Sequence, residues 1–358
     1  MTIVMFLLGL ITLVVGAELL VRGAGRLATT FGISPLVVGL TVVAFGTSAP
    51  EVAVSVNAAL SGSTDIAVGN VVGSNIFNVL FILGISALIA PLIVNAQIIR
   101  QEIPILIGSC LLLFVLSADD RITFGESFLL ISALVAYTVF LIVQSRKESQ
   151  AIKEEYAAEN NKTSSWDKPI YVQLALIFVG LAMLVQGSEW LVDAAVIFAK
   201  LLGVSDIVIG LTIVAAGTSM PEVATSIMAA LKGERDIAVG NVIGSNTFNV
   251  LGGLGITGLI APTGILVPPS VINFDLWVML AVCFACVPVF ITGREIARWE
   301  GAVFLGYYTA YVAYLILAAQ AHDALGAYSS VMMSFVIPIT VVTLVAVMIR
   351  SPSAKKHS

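Results

Sequence analysis

About eleven apolar runs, most of them long enough to cross a bilayer, constrain this chain more than any other feature. They cover residues 2–21, 36–60, 66–92, 103–118, 124–144, 170–192, 205–231, 236–262, 275–292, 299–319 and 329–349. Hydrocarbon offers no water to the backbone, so runs of this kind fold as helices that satisfy their own N–H and C=O groups. Composition agrees: 59% of the 358 residues are hydrophobic and 11% are charged, where a soluble domain carries about 25% charged residues. The expected fold is an all-α polytopic protein of the lipid bilayer. The net charge of -5 and the few bases give no footprint for nucleic acid. The first run has no basic flank before it and is read as a span, not a signal peptide.

Loop charge orients the spans. With the N-terminus outside, 15 of the 17 Lys and Arg fall in cytoplasmic segments, and only Arg121 and Lys200 fall outside. The C-terminus is then cytoplasmic. Five spans precede the polar connector, so spans 6–10 enter the membrane from the opposite side to spans 1–5. The expected organisation is a first five-span repeat over 1–144, a cytoplasmic linker over 145–169, an inverted second repeat over 170–319, and an additional span and tail over 320–358. The linker reads as a solvated connector; its sequon at Asn161 lies on the wrong side for glycosylation. Cys110, Cys283 and Cys286 all lie in apolar runs and read as small core residues, despite the CxxC spacing of the last two.

The halves are copies. At a constant offset, Ser34–Leu92 and Ser205–Thr263 agree at roughly two thirds of their positions. Gly46-Thr47-Ser48-Ala49-Pro50-Glu51 recurs as Gly217-Thr218-Ser219-Met220-Pro221-Glu222, and Gly73-Ser74-Asn75-Ile76-Phe77-Asn78 as Gly244-Ser245-Asn246-Thr247-Phe248-Asn249. Gly16 and Glu18 match Gly187 and Glu189; these two glutamates lie near span ends and read as interfacial.

A carboxylate inside hydrocarbon is costly, which makes Glu51 and Glu222 functional candidates. Pro50 removes a backbone donor and crowds the carbonyl four residues back, at Gly46. The helix is expected to loosen there and expose carbonyls between Ala44 and Thr47, beside the Thr47 and Ser48 hydroxyls and the Glu51 carboxylate. Ala215, Thr218, Ser219 and Glu222 offer the same set from the second copy. Ser74 and Asn78, four residues apart, share a helix face and add a hydroxyl and an amide. The result is an all-oxygen cage with two fixed charges. It suits Ca²⁺, which takes roughly 6–8 oxygens in irregular geometry, better than Mg²⁺. It offers no set for zinc or copper, since the only histidines are His322 and His357. Two carboxylates neutralise one Ca²⁺, two Na⁺ or two protons.

These paired motifs resemble the alpha repeats of the sodium/calcium exchanger family, within the cation/calcium antiporter superfamily. The resemblance covers roughly residues 1–319 and implies a ten-helix core in which spans 2, 3, 7 and 8 surround the ions. It implies Glu51 and Glu222 as the central calcium ligands, Thr47, Ser48, Thr218 and Ser219 as hydroxyl ligands, and Ala44 and Ala215 as carbonyls for sodium. Ser74, Asn78, Ser245 and Asn249 match the remaining ligand positions. Some relatives, the potassium-dependent branch included, carry aspartate where this chain has Asn249, so the neutral pair Asn78 and Asn249 argues against potassium co-transport. The proton/calcium branch places a glutamate in the Asn70–Gly73 or Asn241–Gly244 stretch, and this chain has none there. The eleventh span departs from the ten-helix core.

The expectation is a sodium/calcium antiporter that works by alternating access and needs no cofactor, in a prokaryotic plasma membrane, with proton/calcium or potassium-dependent exchange as the alternatives. A channel would need a filter or a ring of charges from several subunits. An enzyme would need a nucleophile–base pair or a metal centre. The sequence offers neither.

Overall fold

A computed structural model describes residues 2–159, 167, 169–203, 209, 212, 213 and 215–350. It is helical apart from four two-residue strands among the described residues. Span 1 is Thr2–Phe31, span 3 Thr64–Ile89, span 4 Ile98–Leu116, span 6 Ile170–Leu201, span 9 Val271–Ile291, span 10 Arg298–Ala319 and span 11 Ala324–Ala346. Span 5 is the membrane part of one helix, Phe124–Glu159. Span 2 is broken into Pro35–Thr47 and Ala49–Leu60, bent by 41°. Span 7 is described from Ala215–Gly217 onward and continues as Met220–Leu231. Span 8 covers 235–260.

Several expected boundaries move. Span 1 runs to Phe31 rather than residue 21, and span 6 to Leu201 rather than 192. Charged side chains end an apolar run without ending a helix. At the end of span 1, Arg22 and Arg26 are held by Asp167, at 2.9 and 3.2 Å. That carboxylate is buried. Burial alone would raise its pKa, but the hydrogen bonds and charges of the two guanidinium groups outweigh this and hold it below the usual carboxylate range. Within the linker expected from residue 145, the start continues the fifth helix to Glu159, and Asp167 is fastened to span 1. The sequon at Asn161 lies outside the described residues. Glu18 does not simply reach for the interface; it forms an ion pair with Lys232, between spans 7 and 8. Glu189 stays at the surface with Gln186.

Spans 1 and 6 pack backbone to backbone. A Cβ on Gly9 would lie 2.9 Å from the Gly187 carbonyl, one on Gly16 2.9 Å from that of Gly180, and one on Gly23 3.0 Å from that of Gln173. Residue numbers rise along one helix as they fall along the other, so corresponding spans of the two halves run antiparallel, as inverted copies require. Small residues allow this approach where lipid supplies no hydrophobic drive between helices.

Two clips join the halves. β1 (Leu92–Ile93, after span 3) pairs antiparallel with β4 (Glu295–Ile296, after span 9). β2 (Arg121–Ile122, after span 4) pairs with β3 (Ile265–Leu266, after span 8). The start of span 3 joins the second clip, where Leu266 N–H donates to Thr64 Oγ1 at 3.1 Å. Each pairing requires its two loops to lie on one membrane face, which the expected span order provides. Cys110 and Cys283, on spans 4 and 9, bring their buried sulfurs to 3.7 Å, so the neighbour of Cys283 is on another helix and the CxxC spacing is incidental.

Candidate cation site

Each broken span restarts its helix at the motif. Ser48 leaves helical geometry (φ -82, ψ 3), and so does Ser219 (φ -88, ψ 7). Pro50 and Pro221 fall in the first turn of the new helix, which loses no bond of its own by the missing N–H. Glu51 and Glu222 follow in the same turn, where a negative charge suits the helix dipole. The proline thus breaks one helix and starts the next, and the carboxylate sits at the joint.

The two joints face each other. Both glutamates are fully buried. Ser48 Oγ donates to Glu222 Oε1 at 2.9 Å, and Ser219 Oγ donates to Glu51 Oε1 at 2.8 Å. Each half thus supplies a hydroxyl to the carboxylate of the other. Ser245 Oγ lies 3.4 Å from both Glu222 Oε1 and the Ala44 carbonyl. Thr47 Oγ1 reaches Asn241 Oδ1 at 3.1 Å.

The remaining oxygens have no partner. Glu51 Oε2, Glu222 Oε2, Ser74 Oγ, Thr218 Oγ1, Asn78 Oδ1 and Asn249 Oδ1 are all buried without a hydrogen bond. A buried polar atom left unpaired costs about 1–3 kcal/mol, more when charged. Two of the six belong to the facing carboxylates and the other four to the same repeated motifs, and such oxygens are what a desolvated cation would satisfy. Of the twelve residues singled out from the sequence, all but Ala215 thus show either a bond between the halves or an orphaned oxygen. For Ala215 the described part is its backbone, at the start of the short helix Ala215–Gly217.

Ala44 departs from expectation. Its carbonyl accepts the Ser48 N–H at 3.0 Å and is approached by the Thr47 and Ser245 hydroxyls, so it is not bare. The strain appears instead as a π-helical stretch, Gly39–Val43, one turn before the motif. Further π turns begin at Asn78 and Asn249 themselves. Such bulges are common at functional sites, and hydropathy does not reveal them.

A supporting layer escaped the sequence reading. Asn70 Nδ2 donates to the Glu51 carbonyl and to Ser55 Oγ, both at 3.1 Å. Asn241 Nδ2 donates to Ser226 Oγ at 3.0 Å. Asn75 and Asn246 bridge spans 3 and 8. The available signal was the duplication, which preserves all three asparagine and serine pairs in both halves. Two glycines of span 8 let span 2 approach closely: a Cβ on Gly240 would lie 3.0 Å from the Leu36 carbonyl, and one on Gly244 2.6 Å from that of Leu40. Gly73, the counterpart of Gly244, meets no described atom within 4 Å.

The profile of the family described as "Sodium/calcium exchanger protein" matches residues 1–143 and 172–317. The sodium/calcium exchanger MaX1 of Methanosarcina acetivorans is 33% identical over 344 residues, which cover 86% of this chain and 97% of that protein. The inner membrane protein YrbG of Escherichia coli (strain K12) is 32% identical over 280 residues, 78% of this chain and 85% of YrbG. Among solved structures, the sodium-calcium exchanger NCX_Mj, soaked with Na⁺ and Sr²⁺, superposes with a TM-score of 0.74 at 31% identity, covering 87% of this chain and 97% of NCX_Mj. With its broken spans, its facing glutamates and a family match that takes in both halves, this integral membrane protein belongs to the sodium/calcium exchanger family.

Proposed function

We propose that the protein is an antiporter that exchanges Na⁺ for Ca²⁺ at the cage between Glu51 and Glu222. The observation that carries this reading is the facing pair of buried carboxylates, Glu51 and Glu222, each bonded to a serine of the opposite half and each left with one buried oxygen without a hydrogen bond. Glu51 and Glu222 supply the charge for Ca²⁺, with Thr47, Ser48, Thr218, Ser219, Ser74, Ser245, Asn78 and Asn249 as neutral ligands. Ala44 and Ala215 offer carbonyls to sodium once neighbouring hydroxyls turn toward the ion. Cation/calcium exchange also follows from family membership. The choice of sodium rests on the neutral pair Asn78 and Asn249, on the absence of an acid in the Asn70–Gly73 and Asn241–Gly244 stretches, and on the naming of MaX1 and NCX_Mj. The loop charges support an N-terminus outside and a C-terminus in the cytoplasm. A prokaryotic plasma membrane accords with the name of YrbG.

Flux into proteoliposomes tests this. Ca²⁺ uptake should follow an outward Na⁺ gradient and persist when the proton gradient is collapsed and K⁺ is absent. Uptake that vanishes with the proton gradient would replace sodium by protons as the counter-ion. Uptake that requires K⁺ would restore the potassium-dependent reading.

A further inference from the structure

Two asparagines outside the expected ligand set decide how two inside it can point. Asn75 and Asn246 occupy equivalent positions of spans 3 and 8 and are fully enclosed. Asn75 Nδ2 donates to the Asn246 main-chain carbonyl at 3.1 Å, and Asn246 Nδ2 donates to the Asn75 carbonyl at 3.1 Å. A main-chain carbonyl can only accept, so these bonds fix which end of each amide is nitrogen. Each Oδ1 must then serve as the acceptor. Asn246 Oδ1 accepts Asn78 Nδ2 at 2.9 Å, and Asn75 Oδ1 accepts Asn249 Nδ2 at 3.3 Å. With their nitrogens tied, Asn78 and Asn249 direct their own Oδ1 atoms away from the lock, and these are two of the six orphaned oxygens.

We propose that Asn75 and Asn246 are positioning residues: a crossed amide lock that aims the Asn249 and Asn78 oxygens at the transported cation, each acting on the ligand of the opposite half. The inference rests on the cation-cage reading above. Without the lock, the amide of Asn78 or Asn249 can flip and present an NH₂ group to the ion. That replaces an attraction with a repulsion while leaving the glutamates in place. The lock also carries direction: Asn75 belongs with Asn249 and Asn246 with Asn78, never with the ligand on its own helix.

The test is a pair of double-mutant comparisons on reconstituted full-length protein, reading the Ca²⁺ concentration for half-maximal uptake and the maximal rate separately. Asn75→Ala and Asn249→Ala should each raise the half-saturating Ca²⁺ about tenfold, or 1.4 kcal/mol, and the double variant should be little worse than the worse single one. Asn75→Ala combined with Asn78→Ala should instead multiply the two losses, since those residues do not touch through the lock. A purely structural asparagine would couple equally to both. Equal coupling, an unchanged half-saturation, or a loss confined to the maximal rate would each overturn the lock. If Asn75→Ala does not fold, Asn75→Ser, too short to bridge, takes its place. Wild-type protein that takes up no Ca²⁺ under any imposed gradient would overturn the cage reading itself, and the lock with it.

Discussion

The two broken spans share a motif almost letter for letter, yet they sit in different surroundings. In span 7, Pro221 leaves the Gly217 carbonyl without its helical donor, and Ser188 of span 6 fills the gap at 2.7 Å. The residue equivalent to Ser188 in span 1 is Ala17, which has no donor to give. Both motif glycines lean on span 6: a Cβ on Gly46 would meet Leu181 at 2.7 Å, and one on Gly217 would meet Val192 at 2.7 Å. A strict two-fold would have set one of them against span 1. Past the joint, Met220–Leu231 buries Pro221, Glu222, Val223, Thr225, Ser226, Ala229 and Ala230, while Ala49–Leu60 buries only Glu51, Ser55 and Ala59. One hydroxyl pair follows suit: Ser245 is engaged, whereas its counterpart Ser74 is not. Duplicated sequence therefore fixes a shared chemistry without fixing a shared conformation. Unequal surroundings for two inverted copies are what the proposed alternating access would need, since trading those surroundings would give a second arrangement.

Replacing the charged core gives the largest effect. Glu51→Gln or Glu222→Gln should cut Ca²⁺ uptake into proteoliposomes at least about a hundredfold, because a divalent ion is left with one carboxylate in a dry cage. Comparable losses would make the halves chemical equals despite their surroundings; retained uptake in either variant would refute the site.

The threonines separate the halves. Thr47→Val leaves Asn241 Oδ1 without its donor and should cost about 1–3 kcal/mol of stability, read as thermal unfolding in detergent. Thr218→Val removes a hydroxyl that faces Glu51 and supports no asparagine, so it should cost less stability than Thr47→Val while half-saturation for Na⁺ or Ca²⁺ rises. The same result from both would erase the asymmetry. Ser188→Ala should lower stability by a similar or smaller amount, about 1 kcal/mol, by returning the Gly217 carbonyl to an unpaired state. No change there would mean that the break in span 7 needs no support from span 6.

The smallest effect concerns Asp167. Its folded pKa is depressed by Arg22 and Arg26, while the unfolded value is about 3.9. Its contribution to stability is therefore complete above the unfolded pKa and fades as pH falls through the lower folded value. Asp167→Asn should unfold more readily than wild type at pH 6, and the gap should close under more acidic conditions. A gap independent of pH would assign the effect to packing.

The sequence made much of this visible, for definite reasons. Hydrocarbon punishes every unpaired polar group, so the spans, the buried glutamates and the helix-breaking prolines stood out. Charges at span ends misled, because Arg22 and Arg26 stop an apolar run while Asp167 lets the helix continue. The π turns at Gly39, Asn78 and Asn249 depend on how the helices meet, and no residue type announces them. Asn75 and Asn246 stood in plain sight within the repeated motif, but their role is a relation between helices and emerged only once spans 3 and 8 were side by side.

The strand clips bear on how such a molecule can move. Spans 3, 4, 8 and 9 lead directly into β1, β2, β3 and β4, so hydrogen bonds staple one half to the other near both membrane faces. Swinging one half as a rigid block would shear both staples on every turnover. Spans 1 and 6 lead into neither, and they meet along glycines that leave no interlocking teeth between them. The mechanics favour a fixed frame with a two-helix shuttle running across it. A disulfide through Ile93→Cys and Glu295→Cys, which face each other across the first clip, should leave ion flux intact, whereas any cross-link pinning span 1 to the frame should stop it.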